Sequence, residues 1–324
     1  MLPALHTGTN QLGKLNTSDD LLICRACGTQ FSVPAAPGLK SCRICDDPRQ
    51  YVPPTGQSFT TLSELRNDKA EYHLQFIPDE VDPNVISITI QPPGIGIGQR
   101  ALLIRTPHGN ILWDLVSYLD TAAIEHINSL GGLSAIIISH PHFYTSWADW
   151  TASFNNIPVY LAAADEEWIL RRPEGANLHL LADTRNTILP DITAIICGGH
   201  FPGSMALHTA PPNTSVPSLF HADTIMAVPN ARSPDVATAT KHGKGHNSYT
   251  FMWSYPNMIP LPHDQILQIW RALKGFDIEA TYGFTTVRSR EEDVAGIPQR
   301  ILESAKICVR NMGWKEHEIF NETL

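Results

Sequence analysis

A run of six residues, Leu133-Ser134-Ala135-Ile136-Ile137-Ile138, carries the chain into Ser139-His140-Pro141-His142. A short apolar run rich in β-branched residues reads as a buried strand. Two imidazoles therefore stand one residue apart at a strand's C-terminal end. Along an extended segment, residues of one parity point the same way, and Pro141 biases the residue before it toward extended backbone. His140 and His142 are expected to face one ion with the backbone extended through both. Neutral imidazole is the commonest protein ligand for zinc and suits iron as well.

A second metal-binding pattern precedes it. Of six cysteines, four fall into two Cys-x-x-Cys pairs, Cys24/Cys27 and Cys42/Cys45, separated by 14 residues. The intervening stretch, with Pro34 and Pro37, is too turn-rich to make a hydrophobic core. Four thiolates in two knuckles hold a tetrahedral ion that supplies folding energy by itself. The expected product is a zinc-ribbon-like unit with structural Zn²⁺, or rubredoxin-like iron in its place. Cys197 and Cys308 lie in apolar surroundings where a free thiol behaves as a small hydrophobe.

The chain of 324 residues is 43% hydrophobic with a net charge of -9. That is enough to bury a large α/β core beside a small appendage. An acidic balance without a basic run gives no electrostatic footprint for a nucleic-acid partner. The first 20 residues lack a basic n-region and an apolar h-region, and no later apolar run approaches a membrane span. The expectation is a soluble, cytoplasmic protein acting on a small molecule, with no nucleic-acid or membrane partner.

Organisation follows from periodicity. Residues 1–20 read as a polar tail or docked arm, 21–58 as the four-cysteine unit and 59–324 as the large domain. Ile86, Ile88 and Ile90 alternate with Ser87 and Thr89 as a half-buried strand, and residues 101–106 and 110–115 read as a hairpin. Asp120 caps a helix whose apolar stripe is Ala123, Ile124, Ile127 and Leu130, stopped by Gly131. Further strands are expected at 158–162, 193–197, 204–209, 218–222 and 278–282. A helix carries Ile266, Ile269, Trp270 and Leu273, and a last helix carries Ile301, Ala305, Cys308 and Met312. Residues 229–248, with Lys241, His242, Lys244 and His246, read as a long loop suited to a lid.

Two more strand ends carry polar residues: the run to Cys197-Gly198-Gly199-His200, and Ser218-Leu219-Phe220-His221-Ala222-Asp223. His-x-His, then His, then Asp, each after a strand, resembles the metallo-β-lactamase fold superfamily over residues 60–324. The stretches SHPHFYTS, CGGHFPGS and LFHAD carry the likeness. The four-cysteine unit is similar to that of one branch of the superfamily. The resemblance implies an α/β fold, an αββα sandwich with a small N-terminal zinc-ribbon-like unit. It places the metal at the edge of the two sheets.

The departures from that pattern bear on function. The slots of the carboxylate and imidazole that serve a second metal hold Tyr144 and Thr145. The slot of the last imidazole reads Ala280-Thr281-Tyr282-Gly283-Phe284, and His263 comes one element too early, as a helix N-terminal residue. One site survives: His140, His142 and His200 with Asp223. The leading expectation is a hydrolase in which a single zinc-bound hydroxide attacks an ester, lactone or thioester. Asp223 would serve as ligand or general base. Tyr144 would donate to a developing oxyanion or pack into the space of the missing metal. The alternatives are a mononuclear non-haem Fe(II) dioxygenase on the same ligands and a non-catalytic metal-binding module. His108, His126, His179, His208 and His221 read as turn, helix or core residues. Gly94 to Gly98 reads as a flexible connection, and Asp114 as a residue that orients a ligand or neighbouring backbone.

Overall fold

A computed structural model of the chain describes residues 9–35, 39–210, 215–232, 247–283 and 296–324. They form two compact units, one up to Leu181 and one from Ala182 onward. Most of the segment read as a lid, residues 233–246, lies outside the described residues.

In the first unit the start of the chain is a docked arm. Gln11 and Leu133 exchange both backbone hydrogen bonds, and Lys14 N–H donates to the Ser153 carbonyl at 2.8 Å. Strands β1 (Leu21–Cys24) and β2 (Gln30–Pro34) pair antiparallel, and β3 (Phe59–Thr60) completes this small sheet beside β1. Helix α1 (Leu62–Arg66) follows, with the Thr61 hydroxyl accepting from Glu64 N–H at 3.1 Å as its N-cap.

The large sheet takes its strands in chain order: β4 (His73–Pro78), β5 (Val85–Gln91), β6 (Ala101–Ile104), β7 (Ile111–Trp113), β8 (Ala135–Ile137), β9 (Val159–Ala162) and β10 (Leu178–Leu181). Neighbours are antiparallel from β4 to β7 and parallel from β7 to β10. A parallel step needs a crossover. Helix α2 (Thr121–Ser129) supplies it between β7 and β8, and α3 (Trp147–Ser153) between β8 and β9. Consequently the C-terminal ends of β7, β8 and β9 share one edge, where Asp114, His140 and the turn Ala163–Trp168 follow. The expected α2 cap is observed, Asp120 Oδ1 accepting from Ala123 N–H at 2.8 Å.

The second unit centres on a five-stranded sheet. Strands β11 (Arg185–Leu189), β12 (Ile192–Ile196), β13 (Met205–Thr209) and β14 (Ser218–Phe220) run antiparallel in that order. Short pairs β15 (Met226–Ala227) with β16 (Tyr249–Thr250) and β17 (Met252–Ser254) with β18 (Ile259–Pro260) come next. Helix α4 (His263–Leu273) and β19 (Ala280–Tyr282), parallel to β14, precede the last helix, α5 (Ile297–Asn311). The α4 stripe Ile266, Ile269, Trp270 and Leu273 is buried as the spacing predicts, against a core that includes Ile301, Leu302 and Ala305.

Two packing expectations are corrected. Strand β5 is buried on both faces rather than one, because its polar positions have polar neighbours: Arg100 Nη1 donates to Ser87 Oγ at 3.4 Å. On α5, Cys308 and Met312 are only half-buried, and Ile297, Leu302 and Val309 take the deeper places. Among the described residues no helix is long and apolar enough to cross a membrane.

A buried polar knot ties arm, small sheet and α3 together. The Asp149 carboxylate accepts from Arg171 Nη1 at 2.7 Å, Gln30 Nε2 at 2.8 Å and Ser18 N–H at 3.1 Å. Removing one partner of a buried ion pair leaves the other charge uncompensated and costs about 3–5 kcal/mol. Asp149→Ala is expected to lower unfolding free energy by about that amount in equilibrium urea denaturation, and a loss below about 1 kcal/mol would show the knot to be dispensable.

Candidate functional site

The four cysteines of the first unit come together. All are buried, with Cys24 Sγ 3.7 Å from Cys45 Sγ and Cys27 Sγ 3.6 Å from Cys42 Sγ. Four sulfurs placed tetrahedrally about 2.3 Å from one zinc lie about 3.8 Å from each other. The donor set and spacing thus fit a closed tetrahedral ion. Hydrogen bonding from Cys27, with that of Cys42 and Cys45, draws the Cys24 thiol below its ordinary range, while burial pushes Cys27 above it. A cation removes that conflict by stabilising all four thiolates.

His140 and His142 also converge within this unit, by a different route from the one expected. His140 is extended (φ -169°, ψ 172°), but Pro141–Phe143 form one turn of 3₁₀ helix. Proline's fixed φ suits the first position of a helical turn, so Pro141 closes the turn instead of prolonging the strand. The two rings nevertheless lie 5.0 Å apart at 70°. Ser139 Oγ lies 2.9 Å from His140 Nδ1, which leaves Nε2 as the ligand atom. Asp114 Oδ1 accepts from Ser139 N–H at 2.7 Å, so this carboxylate orients backbone as its position in the sequence suggested. Tyr144 caps the turn and is buried. Its pKa is pushed well above the ordinary phenol range by burial and then by Asp165.

In the second unit His200 and Asp223 come together. His200 Nε2 lies 3.2 Å from Asp223 Oδ2, with side-chain exposures of 0% and 7%. Two atoms 3.2 Å apart and each about 2.05 Å from one ion subtend about 100°, within the range of zinc geometry. The turn into His200 needs both glycines. Gly198 and Gly199 have φ of +71° and +93°, and a Cβ on Gly199 would meet Ile269 Cδ1 at 2.8 Å and Leu261 Cδ1 at 2.9 Å. Tyr255, which sequence reading missed, lies with its ring 5.9 Å from His200 and its hydroxyl donating to the Asp223 carbonyl at 3.2 Å. Its only signal was a Tyr-Pro turn after β17.

Among the other histidines, His126 and His208 take the structural roles expected, whereas His179 is half-buried. His179 Nε2 lies 2.8 Å from Asn177 Oδ1 and His208 Nε2 2.7 Å from the Asp277 carbonyl, while His126 sits on α2 against Phe76. His263 begins α4, with Nδ1 3.0 Å from His317 Nε2, which lies 3.0 Å from Asp264 Oδ1. Three ligand-type groups meet here. Yet His317 Nδ1 accepts from Ile319 N–H at 3.3 Å, which leaves the proton on Nε2 and makes a hydrogen-bonded triad.

No protein-family model matches the chain. It is 34% identical over 260 residues to the uncharacterized protein YmaE of Bacillus subtilis (strain 168), across 80% of this chain and 86% of YmaE. The solved structure of DIM-1 metallo-β-lactamase matches with a TM-score of 0.50 at 14% identity, over 73% of this chain and 98% of that one. The chain belongs to the YmaE family, and its fold is that of the metallo-β-lactamases. Its α/β class and N-terminal four-cysteine unit are those expected from sequence. Tyr144 and Thr145 follow the paired histidines, and Gly283 follows β19.

The cysteine centre makes a prediction that does not depend on activity. Thiolate ligands must lose their protons to bind, so affinity falls as pH falls. Purified protein titrated with an organomercurial is expected to release one metal equivalent, and the thiolate-held equivalent is expected to bind more weakly as pH falls. Cys42→Ser is expected to lack it, and an unchanged content in that variant would overturn the assignment.

Proposed function

We propose that the chain is a metal-dependent hydrolase that holds a single catalytic Zn²⁺ on His140, His142, His200 and Asp223, beside a structural Zn²⁺ on Cys24, Cys27, Cys42 and Cys45. Two buried half-sets carry the reading: paired imidazoles in the first unit and an imidazole–carboxylate pair in the second. They follow strands in the order the metallo-β-lactamase fold uses. Each half alone is too small to hold a dication, and three imidazoles suit a catalytic zinc that keeps a position for water, with Asp223 beside it.

Zinc bound there supplies Lewis acidity that brings a water's pKa toward about 7. Asp223 completes the set or takes the proton of the attacking water. Tyr144, kept protonated at neutral pH because burial and then Asp165 raise its pKa, donates to the oxyanion that develops on the substrate carbonyl. Rings flank the ligands: Phe143 beside His140 at 5.3 Å, Phe201 and Tyr255 beside His200 at 5.2 and 5.9 Å. Such walls suit an uncharged small carbonyl compound, an ester, lactone or thioester. Phosphodiesters call for paired metals or cationic clamps.

Metal analysis of the full chain tests the reading. Two zinc equivalents are expected, and the double variant His140→Ala, His142→Ala is expected to lose one and keep the thiolate-held one. Iron as the lost metal would turn the reading to an oxygenase, and loss of neither would remove the catalytic site altogether. On an ester, lactone and thioester panel, Asp223→Asn is expected to lower kcat/KM by at least about 100-fold. Tyr144→Phe is expected to lower kcat by a similar factor with little change in KM.

A further inference from the structure

The glycine-rich run Gly94 to Gly98 leads into Gln99, which the proposed chemistry leaves unused. Gln99 is buried at 4% exposure, and its Nε2 donates to two carbonyls: Cys27 at 2.8 Å and His142 at 2.6 Å. The amide orientation is decided by these partners, since turning it over would set Oε1 against two carbonyl oxygens. The surrounding backbone is shaped around this group. A Cβ on Gly96 would run into Gln99 Oε1, and one on Gly28, next to Cys27, would lie 3.2 Å from it. Two further backbone bonds run between the same segments: Gly96 N–H to the Arg25 carbonyl at 2.9 Å, and Gln30 N–H to the Thr145 carbonyl at 3.0 Å. Within the run read as a flexible connection, Gly96 is fitted against the Gln99 amide.

We propose that Gln99 is a positioning residue that couples the four-cysteine centre to the histidine site. The inference rests on the reading that His142 is a ligand of the catalytic metal. A closed knuckle fixes the Cys27 carbonyl, that carbonyl and Gly96 fix the Gln99 amide, and the amide fixes the backbone that carries the His142 ring. Ion loss from the cysteines frees the Cys27 backbone, and the restraint on His142 goes with it. The ribbon thereby governs metal affinity at a site to which it contributes no ligand.

The test measures Zn²⁺ affinity at both centres of the full chain by chelator competition, with Co²⁺ as a spectroscopic probe of the thiolate set. Gln99→Glu has the same shape but presents oxygen to both carbonyls. It is expected to weaken the histidine site about 10- to 100-fold, the range for groups that orient metal ligands, with the thiolate–cobalt spectrum unchanged. A change within about twofold overturns the coupling. Where Gln99→Glu fails to fold, the wild-type protein decides the matter. Stripping the ribbon metal with an organomercurial is expected to weaken the histidine site by a comparable factor, and unchanged affinity overturns the proposal. The His140→Ala, His142→Ala variant separates the two ideas. If it loses one equivalent while both tests leave affinity unchanged, the coupling alone fails. If it loses none, the catalytic-site reading fails and takes the coupling with it.

Discussion

A backbone that leaves a strand inside a protein must find partners for every N–H and C=O that water cannot reach. Every residue from Gly132 to Thr151 is buried, and the segment after β8 carries the histidines through that interior. Local turns satisfy part of it: Phe143 N–H donates to the His140 carbonyl at 3.0 Å and Tyr144 N–H to the Pro141 carbonyl at 3.2 Å. Others are met from outside the segment, by Asp114 at Ser139, Gln99 at His142 and Gln30 N–H at Thr145. Asp114 adopts φ +57° to make its bond, a left-handed conformation that aspartate tolerates better than most residues. Thr145, at φ +38°, holds a less favourable one, sustained by bonds on both sides of the turn.

The same requirement gives the four-cysteine unit a place in the fold that its size would not. Its apolar cluster is small, with Phe31, Ile44 and the cysteine sulfurs at its centre and Phe59, Trp168 and Leu170 packed at its margin. Arg43 and Arg49 lie over the Trp168 ring at 4.8 and 5.1 Å, adding cation–π contacts at this margin. What the unit supplies to the rest is hydrogen bonding: Gln30 to Asp149 and to the Thr145 carbonyl, and the Cys27 carbonyl to Gln99. A bound ion orders the backbone that presents those groups more firmly than so small a cluster could alone.

His140, His200, Asp223 and the strands before them were legible because each rests on a local rule, apolar run, strand end, polar residue, and the cysteines because their paired spacing is itself a signal. The α2 cap and the α4 stripe were legible for the same reason. Gln99, Asp149 and Tyr255 were not, since a buried glutamine amide has no periodicity and its partners are carbonyls 43 and 72 residues away. The turn at Pro141 was misread because proline constrains both the residue before it and the turn that follows. Here the second preference prevailed, with Tyr144 and Phe143 closing the turn. Strand β5 was misread as half-buried because alternation reports polarity, and Ser87 and Thr89 are polar yet buried.

Under the proposed single-metal reading, the residues at positions 144, 145 and 283 form one electrostatic argument. A buried carboxylate without a cation is costly, so with one metal an aspartate at position 144 would be a liability. The tyrosine found there fills volume and stays neutral, because burial and then Asp165 raise its pKa. Thr145 and Gly283 carry no charge either. Among the four proposed ligands the only anion is Asp223, so one dication leaves the ligand set with a charge of about +1, and a second would raise it to about +3. Within a low-dielectric interior that difference disfavours two metals on charge alone, before any ligand is counted. Restoring Asp and His at positions 144 and 145 would therefore be expected to recruit a second cation only weakly, since the added carboxylate offsets one charge of the two the new ion brings, and an imidazole at Gly283 would add a ligand but no further charge.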